Sequence, residues 1–133
     1  MLYRISIKTS SHTDFIDITS KVREIVRQSK VEEGLCVIYV PHTTAGVFIN
    51  ENADPDVVYD VKNHLEKLVP WINNYKHLEG NAAAHIKSIL TGNSISVIID
   101  KGDLLLGTWQ GIFFAEFDGP RSRNVFIKIV KSW

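Results

Sequence analysis

The sequence predicts an α+β fold: one compact domain with a largely antiparallel sheet or sandwich and about three short helices. Three observations carry this expectation. Both ends of the chain alternate apolar and polar residues, Tyr3, Ile5 and Ile7 against Arg4, Ser6 and Lys8 near the start and Val125, Ile127 and Ile129 near the finish, which is the two-residue period of a half-buried strand. Between them lie three stretches with apolar residues at three- and four-residue spacing, each with a helix start or stop signal. Finally, 133 residues with 44% hydrophobic and 23% charged content suit a single domain with its own core and are too few for two ordinary ones. Residues 1–133 therefore read as one domain, with strands dominating both ends.

Taken in order, a first strand covers residues 2–9, and Ser10 to Asp14 form a polar turn that leaves His12 in solvent. Phe15, Ile16 and Ile18 then lead into Thr19-Ser20, which cap a helix carrying Val22, Ile25 and Val26. Glu33-Gly34 ends that region. Leu35–Val40 is β-branched and aromatic and too short for a stable helix, so it reads as a buried strand. Its Cys36 is the only cysteine; it excludes an internal disulfide and reads as a small buried hydrophobe. Pro41 to Gly46 breaks the pattern and sets His42 beside Thr43 and Thr44 at the end of a core strand, where chemistry often lives; the apolar run Val47-Phe48-Ile49 follows.

Asp54, Pro55 and Asp56 are a helix start, with the cap, the first-turn proline and an acid at the positive end of the helix. That helix should run to about Leu68 with Val58, Val61, Leu65 and Leu68 inward, His64 on its flank and Pro70 as its stop. Gly80-Asn81 opens a third helix, with Asn81 as its cap, Ala82, Ile86, Ile89 and Leu90 as its apolar stripe and His85 along the edge. Thr91-Gly92-Asn93 is its exit. Ser94–Ile99 alternates as another strand, and Asp100 to Asp103 turn the chain. Leu104–Phe117 is strand-like but interrupted by Gly107 and Gly111, the mark of a bulge or a close backbone approach. Asp118 to Arg123 form a charged turn before the last strand, giving five or six strands in all.

Fifteen basic residues against fifteen acidic ones leave no net field to attract nucleic acid or an anionic membrane. No apolar run is long enough to cross a bilayer, and Met1 to Ser6 show no charged-then-apolar signal pattern. The expectation is a cytoplasmic protein with neither partner.

Polar residues that a core does not need cluster in three places: His42-Thr43-Thr44, His77 to His85, and Glu116 to Arg123. His42, His77 and His85 would suit a divalent metal, zinc above others, held by three nitrogens with the fourth position open, although the spacing from His77 to His85 matches no strong metal pattern. The same region suits a small phosphorylated molecule, because the helix-start amides near Asn81, the loop amides around Thr43 to Gly46 and the guanidinium of Arg121 or Arg123 are natural anion partners. Glu116, if inward, would act as a base or tune a histidine ring. The plainer alternatives are a half-buried core histidine at His85, a surface His77, a solvated Glu116 and a salt-bridged turn from Asp118 to Arg121.

Taken together, His42-Thr43-Thr44-Ala45-Gly46, Asn50-Glu51-Asn52-Ala53-Asp54-Pro55, His77 through Asn81 to His85-Ile86-Lys87, Gly107-Thr108-Trp109-Gln110 and Glu116-Phe117-Asp118-Gly119-Pro120-Arg121 resemble the YjbQ-type family, long catalogued as uncharacterised. The resemblance spans nearly the whole chain. It implies a compact α+β domain, a homotrimer, and a polar cleft associated with a bound metal near the shared histidines. Members are often labelled secondary thiamine-phosphate synthases, which implies joining a hydroxymethylpyrimidine diphosphate to a thiazole phosphate with loss of pyrophosphate. Carried over, the resemblance makes His42, His77 and His85 the metal or phosphate ligands and Asn81 the helix-start anion contact, and has Glu116, Asp118 and Arg121 position the substrate. Many relatives carry an acidic residue near Ala83, which this chain lacks. Two other readings stand beside the enzyme: a non-enzymatic binder of a metal or phosphorylated ligand, and a structural role in which Trp109 and Phe113 pack between subunits.

Overall fold

A computed structural model describes residues 1–132. In chain order the elements are β1 (Leu2–Lys8), β2 (Asp14–Asp17), α1 (Thr19–Ser29), β3 (Gly34–Tyr39), β4 (Ala45–Glu51), α2 (Pro55–Leu68), α3 (Ala82–Thr91), β5 (Ser94–Asp100), β6 (Asp103–Leu104), β7 (Gln110–Glu116) and β8 (Ser122–Lys131). They form a five-stranded sheet in the order β1-β8-β3-β5-β6 and a three-stranded sheet in the order β2-β7-β4. Every pairing is antiparallel. The α+β class with three helices holds, and the strands number eight.

The main core lies where the inward residues of both sheets meet α1. Ile5, Ile38, Val97, Val125 and Ile127 come from the large sheet, Val47, Ile112 and Phe114 from the small one, and Val22 and Val26 from the helix. Each large side chain so buried adds about 1.5–3 kcal/mol relative to exposure. A second, smaller cluster of Ala84, Ala115 and Phe117 packs with Phe15, Phe48, Leu65 and Trp71. The small sheet is therefore a middle layer, and its central strand β7 is buried from Gly111 to Glu116.

Several local expectations change. Phe15 and its neighbours are not a lead-in but a short strand, β2, paired with β7. Neither Thr19 nor Ser20 caps α1: the N-cap position is Ile18, with no side-chain cap, and the Asp17 carboxylate before it accepts the Thr19 amide at 2.9 Å. That helix stops at Lys30, whose φ of 58° is left-handed, short of Gly34. The run Leu104–Phe117 divides into β6, a loop and β7. Phe113 stacks on Phe48 at 5.2 Å inside the chain and is 4% exposed, so of the two aromatics expected between subunits only Trp109 is at the surface.

The α2 start behaves as read, with Asp54 accepting the Asp56 amide at 2.9 Å. Its stripe is shallower: α2 buries no residue fully, and Leu68 is exposed. The α3 stripe is displaced altogether. Ile86, Ile89 and Leu90 face outward, while Ala83, Ala84, Lys87 and Ser88 are buried. Close approach to β4 is the reason. Ser88 Oγ donates to Ala45 O at 2.6 Å, and the Val47 amide donates to Gly92 O at 3.0 Å, distances that leave room only for small residues between helix and strand.

Candidate functional site

A polar cleft of about 560 Å³ opens where three chain segments meet. The β3–β4 loop brings His42, Thr43 and Thr44. The segment between α2 and α3 brings Trp71, His77 and Glu79, and Asn81 and His85 follow at the start of α3. Asp118 and Arg121 come from the turn into β8 and Arg123 from the start of that strand. The fold thus gathers His42, His77, Asn81, His85, Asp118 and Arg121 from positions far apart in sequence, and leaves Glu116 beneath the floor.

Glu116 is fully buried, with both oxygens engaged. Oε1 accepts from Arg123 Nε at 2.8 Å and Thr9 Oγ1 at 2.9 Å; Oε2 accepts from the Asp118 amide at 3.0 Å and from Arg123 Nη2. Burial raises its pKa, but the bonds from Arg123, the Asp118 amide and Thr9 outweigh burial and lower it overall. This carboxylate holds Arg123; it does not face a ligand. Arg123 Nη2 also reaches Thr44 Oγ1 at 2.8 Å, which leaves Nη1 as the guanidinium nitrogen without a bond among the described residues.

Asp118 is a second hub. Its Oδ2 accepts from Asn81 Nδ2 at 3.0 Å and Arg121 Nη2 at 2.9 Å, and Arg121 Nε donates to the Asp118 carbonyl at 2.9 Å. Asn81 therefore spends its amide on Asp118 and makes no side-chain cap, contrary to the expectation for a helix start. The first amides of α3 keep no intrahelical partner.

The rings of His77 and His85 lie edge to face, 5.3 Å apart. His42 lines the same cleft but is engaged elsewhere: its Nε2 accepts the backbone N–H of Asn124 at 3.0 Å. Burial first, and then the charge of Arg123, lower its pKa. Among the described residues no group of three or more His, Cys, Asp or Glu side chains converges to hold a metal ion. With His42 Nε2 already engaged, the three histidines do not fit a three-nitrogen metal site as they are placed.

A model of the UPF0047 protein YjbQ-like family matches residues 3–132. The chain belongs to the YjbQ family. It is 55% identical over 130 residues to a UPF0047 protein of Methanocaldococcus jannaschii, covering 98% of this chain and 94% of that one. It is 48% identical over 131 residues to the UPF0047 protein YugU of Bacillus subtilis, covering 98% and 99%. Among solved structures, a YjbQ/UPF0047-family protein of Clostridium acetobutylicum superposes with a TM-score of 0.95 at 55% identity, covering 96% of this chain and 99% of that one. A protein of unknown function from Sulfolobus solfataricus gives 0.95 at 30% identity, covering 99% and 97%.

In this YjbQ-family chain the cleft adjoins a second cavity of about 430 Å³, walled by Ser88, Ile89 and Asn93 and sharing His42, Thr43 and His85 with the first. The sequence assigns no role to Trp71 or Glu79, and names Arg123 as an anion partner only in alternation with Arg121. Trp71 and Glu79 sit in a loop with no periodicity to reveal them. Strand parity favours Arg123, which is in phase with Val125, Ile127 and Ile129 and so points inward.

Proposed function

We propose that the cleft binds the phosphate end of a small molecule. The observation that carries this reading is the convergence of Arg121, Arg123, three histidines and the amino end of α3 on one cavity of small-molecule size. Both guanidinium charges are already balanced, by Asp118 and Glu116. Recognition would therefore rest on directed N–H groups rather than surplus positive charge, which suits a small phosphate and not a polyanion.

As an enzyme, the site suits a thiamine-phosphate synthase-like transferase. The carbon–oxygen bond to pyrophosphate breaks, its electron pair leaves with the pyrophosphate, and a thiazole nitrogen supplies the pair for the new carbon–nitrogen bond. Arg121, Arg123 and the α3 amides would neutralise the departing charge. Such a reaction needs no protein nucleophile, in keeping with a Cys36 thiol that burial pushes up to about 12. A non-enzymatic phosphate binder is the second reading, favoured because Glu116 and Asp118 are committed to arginines and leave Glu79 as the cleft carboxylate without a bonded partner among the described residues. In either form the outward Ile86, Ile89 and Leu90 of α3 support assembly with further copies of the chain, a trimer on the family pattern, in the cytoplasm.

The test is calorimetric titration of inorganic phosphate and pyrophosphate into the wild type and Arg121→Ala, followed by incubation with the two thiamine-precursor phosphates. Loss of a charge-assisted bond should weaken pyrophosphate binding by roughly 10- to 100-fold. The fold should be little changed, because an exposed pair such as Asp118–Arg121 is worth about 0–1 kcal/mol. Turnover separates transferase from binder, and absence of binding by either anion would sink both.

A further inference from the structure

We propose that His42 serves the cleft as a hydrogen-bond donor through Nδ1–H, holding an oxygen of the bound phosphorylated ligand, and is not a metal ligand. The first half rests on the phosphate reading above. The second rests on geometry alone.

Strand β3 ends before its neighbour β8 does. Phe126 of β8 pairs with Tyr39, the last residue of β3, and the Asn124 amide lies two residues farther along, where β3 no longer offers a carbonyl. The His42 ring fills that place, and its Nε2 accepts the orphaned N–H at 3.0 Å. An acceptor nitrogen must keep its lone pair, so in the neutral ring the proton sits on Nδ1. To ligate a metal through Nδ1, the ring would have to move that proton to Nε2 and set it against the Asn124 N–H, donor against donor. Histidines that bind metals do the opposite, with the second nitrogen donating to a carboxylate, carbonyl or water.

Two further features agree. Burial, and then the neighbouring Arg123 charge, disfavour a second proton on the ring. Nδ1 makes no bond among the described residues, and the ring lines both cavities. A donor that needs no added proton can hold a phosphate oxygen at neutral pH and above, where a histidine that must first be protonated would fail.

The experiment is two-bond ¹⁵N–¹H NMR of histidine-labelled wild-type protein at neutral pH, first alone, then with equimolar zinc, then with pyrophosphate. The expected result is a His42 ring protonated at Nδ1 and bare at Nε2, unchanged by zinc and shifted at Nδ1 by pyrophosphate. A proton on Nε2 in the free protein, or loss of the Nδ1 proton on adding zinc, would overturn the proposal. Equilibrium dialysis should find equal zinc stoichiometry in the wild type and His42→Ala; a lower value in the variant makes His42 a ligand and overturns the proposal. His42→Ala should weaken pyrophosphate binding about tenfold, and His42→Asn, which places an amide donor near Nδ1, should restore most of it. Wild-type-like binding by His42→Ala removes the ligand role. If the wild type binds no pyrophosphate, the phosphate reading fails with it, while the ring's protonation pattern still decides whether His42 can take a metal.

Discussion

Arg123 grips both oxygens of Glu116, Nε on Oε1 at 2.8 Å and Nη2 on Oε2, with the two residues 4% and 0% exposed. The pair ties the end of β7 to the start of β8 directly beneath the cleft. Removing one member of such a buried pair strands the other's charge, so Glu116→Gln should cost about 3–5 kcal/mol in urea unfolding.

The same pair sets a pH signature. A carboxyl whose pKa is lowered in the folded state contributes stability above its unfolded value, here near 4.5, and loses it as pH falls toward the folded value. Glu66 shifts in the same direction: burial opposes the shift, but the bond from Thr13 and the adjacent Lys87 ammonium prevail. Melting temperature should therefore begin to fall near pH 6.5, where unfolded His42 takes up a proton that burial and Arg123 disfavour in the folded ring, and fall further below about pH 5, with a shallower slope in that lower range in Glu116→Gln. An acid slope as steep in the variant as in the wild type would remove Glu116 from the explanation.

Strand alternation made the sheet faces legible, and Glu116 and Arg123 could have been paired from it. Glu116 shares parity with Ile112 and Phe114, and Arg123 with Val125 and Ile127, so both point into the core. What sequence misjudged was α3, because a hydrophobicity pattern ranks Ile89 and Leu90 above Ala84 and Ser88. The inward face was decided instead by how closely β4 approaches, a tertiary constraint with no local sign. β2 was hidden for a similar reason: Phe15 and Ile16 are adjacent rather than alternating, and only pairing with β7 makes them a strand. The three polar clusters do meet in space, yet which atoms remain free for a ligand depends on bonds such as Asn81 to Asp118 that span the chain.

Lys87 is 1% exposed, with Nζ 3.1 Å from Glu66 Oε1 but off hydrogen-bond alignment and 6.0 Å from the centre of the Phe117 ring. The ammonium is poorly satisfied, while its stem fills the small core. Lys87→Met keeps the volume and removes the charge, so its cost should stay below about 1.5 kcal/mol, or it should stabilise. Glu66→Ala leaves the ammonium buried without a counter-ion and should cost about 3 kcal/mol. Urea midpoints decide the order. If Lys87→Met proves the more damaging, the charge has a role that packing does not explain.

Gly46 sets how α3 rests on β4. A Cβ there would lie 2.1 Å from Thr91 Oγ1 and 2.6 Å from Gly92 O, so any side chain must lift the end of the helix away from the strand. The adjoining Ser88–Ala45 and Val47–Gly92 bonds would be strained with it, and His85 lies less than one turn before Ser88. Gly46→Ala should cost about 1–3 kcal/mol by overpacking and weaken pyrophosphate binding as well. Gly102 supplies the control: its φ is +77°, and its nearest non-local neighbour is Glu32, away from the cleft. Gly102→Ala should cost about 1–2 kcal/mol of left-handed strain and leave binding unchanged. A loss of affinity in Gly46→Ala alone, at similar loss of stability, would show that the α3 position aims the site; equal affinities in both variants would show that it does not.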